Sequence, residues 1–197
     1  MIPRDRGARR MWWEARVLPR AVRRFYRAAD AQARATGDAF SLDSATRPAE
    51  LKVLLGLASG RRAVVELGTA TAWTTIALAL ADPRRRVISY DPVVHAHRDD
   101  YVALAGGDVR GRIALREQTE ADGPHPGDEP VELLFVDSTH DRDSVVRTVG
   151  VWRDALANGA VVAFHDYDHP EFPGVRQGID ELGLRGAVRG GLFVWHP

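Results

Sequence analysis

Short apolar runs alternate with helical stripes along most of the chain. Runs at about 62–67, 87–91, 112–116, 131–136 and 160–164 are each too short for a helix and are bounded by Gly, Pro or Asp, so they read as buried strands. Between them, helical spacing predicts helices over about 73–81, 93–105, 141–157 and 174–182. Two more precede the first strand. Pro19 suits the start of a helix whose stripe is Leu18, Val22, Phe25, Tyr26 and Ala29, closed by Gly37. Pro48 opens another to about Ala58, with Leu51, Leu54, Leu55 and Ala58 inward and Gly60 as its stop. Residues 38–47 read as a polar link and 117–130, rich in Gly, Pro, His and acids, as a surface loop. Two closing strands, near 185–189 and 191–196, meet at Gly190-Gly191.

Regular alternation of strand and helix predicts an α/β fold: a doubly wound, mostly parallel seven-stranded sheet with one antiparallel strand near the C-terminus, Rossmann-like in plan. Residues 1–47 read as a basic arm and helical lid, and residues 48–197 as the main domain.

Composition narrows the chemistry. There is no cysteine, which excludes disulfides, thiolate metal sites and a thiol nucleophile. No apolar stretch approaches the roughly 20 residues of a membrane span. Arg4, Arg6, Arg9 and Arg10 are not followed by the apolar core of a secretory leader. A cytoplasmic protein without membrane contact is the expectation. The zero net charge hides an asymmetry: residues 1–27 hold nine Arg against Asp5 and Glu14. Such an arm can serve nucleic acid, but its few aromatic residues favour packing on an acidic neighbour, and the Trp12-Trp13 pair points to a homodimer contact.

Polar residues gather at the strand ends. Glu66 closes the first strand, Asp91 the second, Asp137 the fourth and His165-Asp166 the fifth, all on the edge where open parallel sheets bind ligands. Asp91 follows Gly68 by 23 residues, the place of an acid that accepts hydrogen bonds from a ribose. The loop Gly68-Thr69-Ala70-Thr71-Ala72 has one glycine rather than the G-x-G-x-x-G of a pyrophosphate site, and Glu66 beside it would repel a pyrophosphate. A cationic nucleoside suits it better, which points to S-adenosylmethionine.

Val65-Glu66-Leu67-Gly68-Thr69 with Trp73-Thr74-Thr75, then Tyr90-Asp91-Pro92, resembles the first two motifs of class I S-adenosylmethionine-dependent methyltransferases. Leu133 to His140 and Gly159 to Tyr167 resemble the macrocin-type small-molecule O-methyltransferases and, in spacing, their cation-dependent catechol and caffeoyl-CoA relatives. The resemblance covers about 45–195. It implies methyl transfer to a hydroxyl of a small molecule. Glu66, Gly68, Thr69 and Ala72 would meet the donor's methionine part. Asp91 would hold the ribose, and Pro92, Gln118 and Thr119 the adenine. Asp137, His165 and Asp166 would hold a divalent cation, magnesium or manganese, and His140, with Asp137, would act on the acceptor's proton. Ala72 departs from the glycine of the motif, and His165 suits zinc, iron or nickel better than magnesium. Other readings of the same residues are a metal-dependent hydroxylase using two histidines and a carboxylate of His165-Asp166-Tyr167-Asp168-His169, an NAD-linked reductase, and a non-catalytic cofactor-binding module.

Overall fold

A computed structural model describes residues 15–197; the expectations placed on the first fourteen residues, including the Trp12-Trp13 contact, lie outside it. The sheet has strands β1 (Ala63–Leu67), β2 (Arg86–Tyr90), β3 (Ile113–Arg116), β4 (Val131–Val136), β5 (Leu156–Phe164), β6 (Gly186–Arg189) and β7 (Leu192–Trp195). Their order is β3-β2-β1-β4-β5-β7-β6. The first five are parallel, and β7 lies antiparallel between β5 and β6, as the closing pair with its glycine turn predicts.

Alternation along each strand builds two cores. Val64, Val87, Leu133, Phe135, Val161 and Ala163 face one layer of helices; Val65, Leu67, Leu134, Val136, Val162 and Phe164 face the other. Burial on both faces is why these strands read as unbroken apolar runs. The first layer comprises α1 (Arg20–Thr36), α3 (Pro48–Leu57), α4 (Trp73–Ala81) and α5 (Arg98–Ala105). α1 carries the predicted stripe inward through Val22, Phe25, Tyr26 and Ala29, and ends on Gly37 in the left-handed region at φ 71°. The second layer is α7 (Arg142–Trp152) and α8 (Pro173–Glu181), which seat Val145, Val149, Trp152, Val175 and Ile179. The one-turn helix α6 (Gly107–Arg110) leads into β3.

Four local expectations differ from the structure. The link 38–47 contains a helix, α2 (Ala39–Ser44), because Asp38 accepts a hydrogen bond from the Ser41 amide at 3.0 Å and caps it. The helix expected from residue 93 starts only at Arg98, after His97 takes a left-handed φ of 64°. The helix expected to reach residue 157 stops at Trp152 and passes through a 3-10 turn, Arg153–Ala155. Asn158-Gly159, expected as a helix stop, lies inside β5, where Gly159 has φ 76° and the pairing to β4 slips.

The segment 117–130 is anchored. A 3-10 turn, Glu120–Asp122, accepts a hydrogen bond from Trp152 Nε1 at 2.8 Å through the Glu120 carbonyl. Farther along, Arg116 donates to Asp128 Oδ1 at 2.7 Å. That guanidinium holds the Asp128 carboxyl below its ordinary value. A depressed folded pKa gives stability that is present above the unfolded value and is lost as pH falls through the folded one. Asp128→Asn should therefore lower the melting temperature at neutral pH, and the gap to the parent should close as pH falls below about 3.8. A gap that stays unchanged well below that pH in thermal melts would remove this anchor from the fold.

Candidate active site

The carboxyl ends of the parallel strands open into a cleft of about 1200 Å³. Glu66, Gly68, Thr69, Asp91, Pro92, Asp137, His140, His165 and Asp166 all line it. Of the residues singled out in the sequence, Ala72, Gln118 and Thr119 form no part of its wall. Ala72 is fully buried in the core below the loop, where its φ of 67° starts α4. Thr119 caps the 3-10 turn by hydrogen bonding with Asp122, and the next residue, Glu120, reaches the cleft instead.

Gly68 is needed by the chain itself. Its φ is 98°, and a Cβ there would lie 1.9 Å from the Asp137 carbonyl oxygen. Here the Asp137 amide donates to the Leu67 carbonyl, and on the other side the Gly68 amide donates to the Tyr90 carbonyl, both at 2.8 Å. The glycine that suggests close approach to a ligand thus first serves close approach of β4 to β1.

Glu66, 1% exposed, is held by hydroxyls. Ser89 Oγ donates to its Oε2 at 2.8 Å, and Thr75 Oγ1 donates to the same oxygen. Burial pushes its pKa up to about 8; Thr75 and Ser89 oppose this, and the charges of Asp137 and Asp91 add to it. An acid in this state is primed to ionise opposite a cation. Asp91 accepts from the Ala70 amide at 2.8 Å through Oδ2 and from the Val93 amide at 2.9 Å through Oδ1. These bonds fix the plane of the carboxylate and leave one lone pair on each oxygen for a ligand.

At the other end of the cleft, Asp137, His140, His165 and Asp166 bring four potential ligand atoms within 4.8 Å of one another. His165 Nδ1 is 3.1 Å from both Asp137 Oδ1 and Asp166 Oδ2. His140 Nε2 is 3.0 Å from Asp166 Oδ2 and 3.9 Å from Asp137 Oδ1. Burial disfavours charge on both rings, but the carboxylates outweigh it, raising His140 to about 9 and His165 to about 12. Burial likewise opposes ionisation of Asp137 and Asp166, and the two imidazoles overcome it and lower both. Despite these charges, His140 Nε2 and both nitrogens of His165 are buried without an aligned hydrogen bond. Buried polar atoms held by charge alone, converging with two carboxylates, fit a divalent cation, and the imidazoles favour a transition metal over magnesium. His169 does not join this cluster. Its ring stacks on Phe172 at 4.8 Å, and its Nδ1 accepts from the Glu171 amide. His169 therefore drops out of the set read for a hydroxylase, and the second histidine beside His165 is His140.

Sequence reasoning passed over Glu50, Glu120 and Phe172, which also line the cleft. Phe172 stacks on His140 at 4.2 Å. Glu50 sits on a helix that reads as simple packing, and nothing in its local sequence marks it.

The strand order, the single antiparallel strand and this cleft define a class I S-adenosylmethionine-dependent methyltransferase. The family described as "Methyltransferase domain" matches residues 65–167, and the chain belongs to it. Solved structures share the fold. Cofactor-bound Rv0187 from MTB is 22% identical with a TM-score of 0.65, over 84% of this chain and 89% of that one. The O-methyltransferase TomG from Streptomyces achromogenes, in complex with SAM, is 21% identical with a TM-score of 0.61, over 89% and 88%. CalS11, a TDP-rhamnose 3'-O-methyltransferase, is 16% identical with a TM-score of 0.59, over 75% and 77%. No curated protein sequence matches the chain. Among the described residues no helix is long and apolar enough to cross a membrane.

Gly68→Ala should cost about 3 kcal/mol or more, because backbone rather than a flexible side chain opposes the new methyl; urea unfolding reads this, and a loss under about 1 kcal/mol would mean that the contact is slack. For Glu66, a raised folded pKa means its contribution is complete below the unfolded value of 4.5 and fades as pH rises through about 8. Urea midpoints of the parent should fall across that window more steeply than those of Glu66→Gln.

Proposed function

We propose that the protein transfers a methyl group from S-adenosylmethionine to a hydroxyl of a small molecule, assisted by a divalent cation at Asp137, His165 and Asp166. The observation that carries this reading is one cleft with an acid-lined donor end and the four-residue cluster facing it. Glu66, Gly68 and Thr69 would meet the methionine part of the donor, Asp91 the ribose and Pro92 the adenine. The donor supplies the difficult chemistry; the protein orients, excludes water and manages one proton. Glu66 would ionise as the sulfonium settles, so binding near neutral pH releases a proton. A bound cation would lower the pKa of the acceptor hydroxyl and fix its position. His140, whose ring stacks on Phe172 at 4.2 Å, would in its neutral form take the proton leaving that hydroxyl. Polar residues of the cleft lining, among them Arg47, Glu50, His169 and Gln177, support a hydroxyl-bearing acceptor such as a sugar or natural product.

Calorimetry should detect binding of S-adenosylmethionine but not of NADH, and Asp91→Ala should abolish it. In paired buffers of different ionisation heat, binding should release a proton in the parent and none in Glu66→Gln. Chelator should stop turnover and manganese should restore it. Undiminished donor binding by Asp91→Ala would overturn the donor pocket, and turnover indifferent to chelator would overturn the cation while leaving methyl transfer in place.

A further inference from the structure

We propose that Glu50 is the positioning residue of the cluster: its carboxylate sets the face that His165 turns toward Asp137 and Asp166. The cation half of this inference rests on the function proposed above. Glu50 lies on α3, outside the segment that matches the family. Its Oε2 is 3.5 Å from His165 Nε2, while Nδ1 of the same ring is 3.1 Å from the two aspartates. Among the described residues no other carboxylate stands on the Nε2 side. The contact is an ion pair rather than an aligned hydrogen bond, in surroundings where the two side chains are only 22% and 15% exposed. A cation that binds must displace one proton from the imidazolium, leaving a ring with one proton and one lone pair. A carboxylate beside Nε2 keeps the proton there and leaves Nδ1 free to act as a ligand, the arrangement that orients histidines in metal sites.

The fold aims Glu50 at this ring from two directions. Leu51 and Leu54 are fully buried and seat α3 in the core. The β6–β7 turn then presses on the helix from outside. A Cβ on Gly190 would lie 2.6 Å from Val53 Cγ2, and one on Gly191 would lie 2.7 Å from Glu50 Oε1. Both glycines have positive φ, 57° and 93°. Since Phe193 pairs with Phe164, the residue before His165, the turn sits beside that histidine. The C-terminal hairpin thus clamps a carboxylate from α3 over the ring that immediately follows the fifth strand.

The test combines Mn²⁺ calorimetry on cation-stripped protein with nitrogen-15 NMR of the histidine rings before any ion is added. Glu50→Ala should weaken Mn²⁺ binding about 10–100-fold and move the His165 Nε2 resonance, and Glu50→Gln, which keeps an acceptor oxygen, should recover most of both. Gly191→Ala, whose new methyl displaces Glu50 without removing it, should move the same resonance; it carries the test should Glu50→Ala not fold. An unmoved resonance and unchanged affinity in Glu50→Ala would overturn the role of Glu50. A parent that takes no Mn²⁺, or one matched by Asp137→Asn, would instead overturn the cation, and the resonance would still decide whether Glu50 orients His165.

Discussion

The close approach of the chain leaving β4 to the chain leaving β1, at Gly68, is the constraint on which the site depends. Only a residue without a Cβ lets the Asp137 carbonyl pass at that distance. The amide of Asp137 is tied to Leu67 there, so the β1 loop and the β4 terminus are joined directly through backbone. The same contact sets the donor end of the cleft next to the carboxylate cluster. Methyl transfer requires an in-line approach between two bound groups, and a shared backbone hinge point is a rigid way to fix their separation.

Charge is the second organising feature. Four carboxylates at the ends of parallel strands repel one another, and each is tempered differently. Glu66 stays largely protonated in its buried hydroxyl cage. Asp91 leans on two backbone amides. Asp137 and Asp166 share the two imidazoles. The result is a gradient along one cleft, from an acid that ionises on demand to a pair that is ionised throughout. A cationic donor at one end and a metal ion at the other would each relieve a different part of that repulsion.

Segments outside the matched family region complete this arrangement. Ser41 of α2 donates to Thr71 Oγ1 at 2.9 Å, and Thr46 and Thr74 share a hydrogen bond of 2.8 Å, so the helices before β1 are joined to the donor loop through buried hydroxyls. Phe40 stacks on His95 at 4.5 Å across the rim above Asp91. The first helices therefore act as a wall of the cleft as well as a cover for the core.

Much of this was legible in the chain alone. Apolar runs, helical stripes and glycine stops predict seven strands and most helices, because periodicity and turn chemistry are local properties. The parallel plan then places Glu66, Asp91, Asp137, His165 and Asp166 on one rim, since strand ends in a parallel sheet share an edge. The helix α2 was hidden because one capping aspartate decides it within a polar stretch. Gln118 and Thr119 miss the cleft because a 3-10 turn, fixed by a distant tryptophan, presents Glu120 instead. Tertiary structure alone decided that Gly68 answers to β4, that His140 and His165 face the same two carboxylates, and that Glu50 reaches His165. Each of these depends on contacts between residues far apart in sequence, where a side chain's neighbours follow from the path of the whole backbone.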